Sequence, residues 1–70
     1  MIIVNAPLKA QEIIELLNSQ DEFNFVEKKG LKLFFETTMD DKVQAAKEAK
    51  AIIKKEPWGT GLFLHTEVSQ

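Results

Sequence analysis

The sequence contains no cysteine and no arginine, and it has a single histidine, His65. Without cysteine the chain has no disulfide, no thiol nucleophile and no cysteine-ligated zinc or iron–sulfur centre. All nine basic residues are lysine, so the guanidinium fork that grips phosphate or carboxylate through two parallel bonds is missing. We therefore expect no cofactor and no metal site.

The chain also lacks a long apolar run and a large net charge. Its longest N-terminal apolar stretch is broken by Asn5, Pro7 and Lys9, which prevents the apolar core of a signal peptide, and no segment approaches the roughly 20 apolar residues of a membrane span. The net charge of −2 gives no overall field to attract nucleic acid or an acidic membrane. These features predict a cytoplasmic protein without membrane contact.

What the chain does have is enough apolar residues for one small core. The hydrophobic share of 44% is ordinary for a globular chain. A length of 70 residues is too short for two separate cores. We expect residues 1–70 to form one domain. Packing alone must stabilise it, since no disulfide or metal helps.

Two segments have the apolar spacing of helices. The first carries Ala10, Ile13, Ile14 and Leu17, and the second carries Val43, Ala45, Ala46, Ala49, Ile52 and Ile53. The first predicts a helix from Pro7 to Asn18 or Ser19, with the proline in its first turn. The second is expected to end at Pro57.

The start of the second helix has two alternative caps. Thr38 stands three residues before Asp41, as in a capping box, and Asp40 is the other candidate N-cap. The Asp40-Asp41 pair is therefore interpreted as capping and compensation of the helix dipole, not as a pair of catalytic carboxylates.

Four segments have the composition of strands. They are Ile2–Val4, Phe23–Val26, Leu31–Thr37 and Leu62–Val68. Lys28-Lys29-Gly30 predicts a tight turn between the second and third strands, which should pair antiparallel. The sequence does not decide which face of the second strand is buried, because Phe23 and Phe25 lie on one face and Val26 lies on the other.

The resulting order, β-α-β-β-α-β, resembles the ferredoxin-like fold over the whole chain. That resemblance implies an α+β two-layer sandwich, in which a four-stranded antiparallel sheet in the spatial order four, one, three, two carries both helices on one face. The predicted core contains Val4, Ile13, Leu17, Leu33, Phe35, Ile53 and Leu64.

The other face of such a sheet is open, and the period-two alternation of strands predicts which residues lie there. Ile3, Phe34 and Phe63 would form an apolar patch on three neighbouring strands, with His65 beside it. Exposed apolar area of this kind often marks an interface. The sequence thus predicts a small binding module that acts through this face on a protein partner or on a second copy, as a weak homodimer.

Two other functions remain open from the sequence. One is binding of RNA or single-stranded nucleic acid, with Phe34 and Phe63 as stacking platforms, although the first strand lacks the aromatic typical of RNA-recognition motifs. The other is a regulatory domain that binds a small metabolite at the turn Asn5-Ala6-Pro7. We expect nucleic acid binding to be absent or weak.

No constellation of residues favours catalysis. His65 would need a carboxylate to orient its ring, and Glu67 on the same strand face is the nearest candidate. Acylphosphatases share the element order but use an arginine that this chain lacks. We expect no enzymatic activity and assign no catalytic residue.

A basic stripe is predicted on the second helix. Lys47, Lys50 and Lys54 recur at i, i+3 and i+7. Most such stripes are solvated helix faces; the functional alternative is docking of an acidic or phosphate-bearing partner. Trp58, after Pro57, is expected to plug one end of the core.

Overall fold

The computed structural model describes residues 1–68, and its six elements follow the predicted order. They are β1 (Ile2–Asn5), α1 (Ala10–Asn18), β2 (Phe23–Lys29), β3 (Lys32–Thr37), α2 (Lys42–Lys54) and β4 (His65–Val68). The strands form one antiparallel sheet in the order β2-β3-β1-β4. This is the α+β, ferredoxin-like arrangement that the sequence predicted.

The core lies between the sheet and the two helices. Ile2 and Val4 on β1 point into it together with Leu33 and Phe35 on β3, and the helices contribute buried residues that include Ile13 and Ile53. Every residue of the predicted core is buried. Val43, predicted on the apolar face of α2, is instead 59% exposed, because it lies four and seven residues before Lys47 and Lys50 and so shares their exposed face of the helix.

Both helix starts differ from the prediction. Helix α1 begins at Ala10 and not at Pro7, because Lys9 takes a left-handed conformation (φ 65°) that a helix cannot include. Asp41 is the N-cap of α2, where its carboxylate accepts a 3.1 Å hydrogen bond from the backbone N–H of Gln44. Neither Thr38 nor Asp40 serves as the cap.

A β-bulge settles the faces of β2. Phe25 lies opposite Phe35 and Glu27 lies opposite Phe34, so Val26 is an extra residue between them. Phe23 and Phe25 therefore face the helices, and Phe25 packs edge-on against Phe35 with ring centroids 5.5 Å apart. After the bulge, each residue of β2 faces the side of the sheet opposite to the one that a regular strand would give it.

The connection from α2 to β4 is a tight loop. Gly59 lies against the end of α2, where a Cβ atom would overlap the carbonyl of Ile53, so only glycine fits. The hydroxyl of Thr60 donates to the carbonyls of Lys54 and Glu56 at 3.2 and 3.1 Å. Trp58 is partly buried against the core, as predicted.

Candidate functional site

The open sheet face is centred on a directly paired couple, Ile3 and Phe34. The register places Ile3 opposite Phe34 on β3 and opposite Glu67 on β4, and opposed residues of an antiparallel pair share a face. Ile3 is absent from the core cluster, so it lies on the side away from the helices. Its neighbours nevertheless leave it only 7% exposed.

The expected patch of three apolar residues is not formed. Strand β4 begins at His65, three residues later than predicted, because β1 ends at Asn5 and the register pairs those two residues. Phe63 lies before the strand and is 85% exposed. Glu67, and not Phe63, stands beside Ile3 on β4.

Polar side chains surround the Ile3–Phe34 couple. The ammonium of Lys29 lies 5.9 Å from the centroid of the Phe34 ring, within the range of a cation–π contact. Glu67 Oε1 accepts a 3.3 Å hydrogen bond from Asn5 Nδ2 and lies 3.8 Å from Lys32 Nζ. The apolar centre with a polar rim has the layout of a small interface.

His65 and Glu67 are neighbours on one strand, but Glu67 has other partners. Both lie on β4 and on the open face, but the carboxylate of Glu67 is engaged by Asn5 and Lys32. Asn5 also donates to the backbone carbonyl of His65 at 3.4 Å, so its amide is engaged by β4.

The predicted basic stripe on α2 is incomplete. Lys47 and Lys50 are exposed, but Lys54 is partly buried and its ammonium donates to the carbonyl of Leu62. Lys54 therefore holds the loop after α2 in place. Only two of the three stripe lysines remain directed to solvent.

The charges separate toward the two ends of the sheet, a feature that the net charge of −2 conceals. We call one end the lysine-rich end; it is formed by residues 6–9, the β2–β3 hairpin tip and residues 55–64. Its lysines are Lys9, Lys28, Lys29, Lys32, Lys54 and Lys55. Its acidic residues are Glu12, Glu27, Glu56 and Glu67, whose carboxylate lies 3.8 Å from Lys32.

The opposite end, the acidic end, is formed by residues 19–22 and 38–41 with the adjoining ends of the strands and α2. Its acidic residues are Asp21, Glu22, Glu36, Asp40 and Asp41, with Lys42 as the neighbouring lysine. A cavity of about 100 Å³ lies here, lined in part by Asp21, Glu22 and Glu36.

Neither helix of residues 1–68 is long and apolar enough to cross a membrane. Within the same residues, no three side chains of the histidine, aspartate or glutamate type are grouped so that they could hold a metal ion. The sequence matches no protein-family model, and it has no significant match among curated proteins or solved structures.

Sequence reasoning identified Ile3, Phe34 and His65 as residues of the open face, and the register places all three there. It missed Lys29, because the bulge at Val26 decides which side of β2 that lysine occupies. It also missed Leu8 and Leu31, which are 66% and 58% exposed at the lysine-rich end. The signal available was a large apolar residue beside proline or glycine in each loop.

Proposed function

We propose that this chain is a small cytoplasmic binding module, without enzymatic activity, that associates through its open sheet face with a protein partner or a second copy of itself. The observation that carries the proposal is that both helices lie on one face, while Phe34 remains partly exposed at the centre of the other. Contact with a second apolar surface would remove Phe34 from water.

The small apolar area makes self-association weak. Ile3 is already covered by its neighbours, so a dimer gains mainly from Phe34, at roughly 25 cal/mol per Å² of apolar area removed from water. Tethering two molecules costs on the order of 4–15 kcal/mol. A homodimer should therefore form only at high concentration.

Analytical ultracentrifugation over a range up to high micromolar protein tests the proposal. The natural chain should show a concentration-dependent rise in mass, and Phe34→Lys should remain monomeric. The matched control is Val43→Lys, which places the same charge at an exposed apolar position on α2, away from the open face. A natural chain that stays monomeric rules out the homodimer, and equal loss in both variants rules out the open face as its site.

Nucleic acid is the rival ligand, because Lys29 and Lys32 lie beside Phe34. The second stacking platform of that alternative is not on the sheet, since Phe63 precedes β4. We expect a titration with mixed single-stranded RNA at low salt to leave the Phe34 resonances unshifted. Shifts at Phe34 that weaken steeply with added salt would favour nucleic acid binding instead.

A further inference from the structure

Three of the most exposed large apolar side chains lie at the lysine-rich end. Leu8 follows β1, Leu31 precedes β3 and Phe63 precedes β4, and their exposed fractions are 66%, 58% and 85%. The strands β3, β1 and β4 are neighbours in the sheet. The three residues therefore stand on three adjacent connections at one end of the sheet, where neighbouring strands lie about 4.8 Å apart.

The backbone holds these connections in defined positions. The N–H of Ala6 donates to the carbonyl of Leu31 at 3.0 Å, which joins the first two connections. The loop before Phe63 is fixed by the fit of Gly59 against α2 and by the bond from Lys54 to the carbonyl of Leu62. Lys9, next to Leu8, has the only positive φ of a non-glycine residue among residues 1–68, and such strain is commonly found at functional sites.

Lysines accompany the three apolar residues. Three of the lysines have only weak, exposed partners, namely Lys9 with Glu12 at 3.9 Å, Lys29 with Glu27 at 3.8 Å and Lys32 with Glu67 at 3.8 Å. Lys54 instead donates to the carbonyl of Leu62. Among residues 1–68, Lys28 and Lys55 form no ion pair. The excess positive charge is therefore available to an anionic surface, and the acidic end lies on the far side of the molecule.

We propose that the lysine-rich end docks on the surface of a bilayer that contains anionic lipids, with Leu8, Leu31 and Phe63 inserted at the headgroup level and the lysines against the headgroups. Apolar side chains combined with attraction to anionic lipid give reversible interfacial binding without a membrane span. The separation of charge orients the domain, because the anionic surface attracts one end and repels the other.

A bilayer fits this end better than a protein groove or nucleic acid. The apolar residues stand on separate connections and the flexible lysines need no fixed geometry, which suits a fluid surface. The cavity described above lies at the opposite end. The net charge and the lack of a membrane-spanning segment predict no membrane contact, but neither property describes how the charges are distributed over the surface.

Vesicle cosedimentation at low salt tests this proposal with two lipid compositions. The natural chain should sediment with vesicles of phosphatidylcholine and phosphatidylserine mixed two to one, and much less with pure phosphatidylcholine. Phe63→Ser should weaken the binding about ten-fold, while Val43→Ser, an equally polar change at an exposed position of the acidic end, should leave it unchanged. Circular dichroism checks that both variants remain folded.

A second pair of variants tests the attraction between the lysines and the anionic lipid. Lys28→Gln should reduce binding to the mixed vesicles about five-fold, and Lys47→Gln, on the middle of α2, should not. Absence of binding to the mixed vesicles, or binding that Phe63→Ser leaves intact, overturns the proposal. RNA binding that depends on Phe63 without vesicle binding would assign this end to nucleic acid and also overturn it.

This inference is independent of the open-face proposal. Phe34→Lys should abolish self-association but keep vesicle binding, and Phe63→Ser should weaken vesicle binding but keep self-association. Loss of both properties in either variant would show that one surface accounts for both, and the separate assignment of the lysine-rich end would then be wrong.

Discussion

The connections at the two ends of the sheet differ in the apolar side chains that they leave exposed. At the acidic end the loop and helix-end residues support the fold: Asp41 caps α2, Met39 packs against the core, and Asn18 at the end of α1 accepts a 3.1 Å bond from the N–H of Phe25. At the lysine-rich end Leu8 and Phe63 are turned to solvent. Stability of the fold therefore does not explain why Leu8 and Phe63 are apolar.

The largest expected effect separates two neighbouring residues of the lysine-rich end. Leu64 is buried and Phe63 is exposed, so Leu64→Ala should lower the free energy of unfolding by about 2–5 kcal/mol, whereas Phe63→Ala should change it by less than about 0.5 kcal/mol. Urea unfolding of both variants measures this. A cost for Phe63→Ala close to that of Leu64→Ala would mean that Phe63 supports the fold and is not a free surface residue.

The next effect concerns the loop that presents Phe63. Gly59→Ala should cost about 3 kcal/mol, because the added methyl group overlaps the carbonyl of Ile53. Gly61→Ala in the same loop is the control, since a Cβ there meets no atom within 4 Å. Thermal unfolding should show a clear fall in Tm for the first variant alone. Similar values for both would mean that the loop yields easily and does not position Phe63.

The smallest of the three effects lies at the acidic end. Asp41→Ala removes the side-chain cap of α2 and should cost about 1 kcal/mol of unfolding free energy. Asp40→Ala removes the same charge at the neighbouring position without loss of a cap bond, and we expect a change of only a few tenths of a kcal/mol. Chemical denaturation distinguishes them. Equal effects would show that charge at this end matters more than the hydrogen bond.

Much of the fold follows from the sequence because burial imposes periodicity on every element. The spacing of Ile13 and Leu17 and the alternation of Leu33 and Phe35 predicted which residues are buried. The wrong start of the last strand has another cause, because a pairing partner decides it. Leu62–Val68 alternates like one strand, but a strand needs a neighbour, and β1 ends at Asn5.

The candidate sites were less predictable, for the same reason. The alternation of the strands predicted that Ile3 and Phe34 share the open face, whereas their direct pairing is set by the register. The position of Lys29 over Phe34 depends on one extra residue in β2. The segregation of charge depends on which turns meet at each end of the sheet. The composition gives only the sum of all charges, −2, and not their positions.

The bulge at Val26 has a consequence for the solubility of the chain. Strand β2 is an edge of the sheet, and a regular edge offers its unpaired amide and carbonyl groups to any passing strand. One additional residue bends and twists that edge, and the charged sequence Glu27-Lys28-Lys29 follows it directly. Deletion of Val26 would produce a straighter edge, and the resulting chain should form β-rich aggregates far more readily than the natural one.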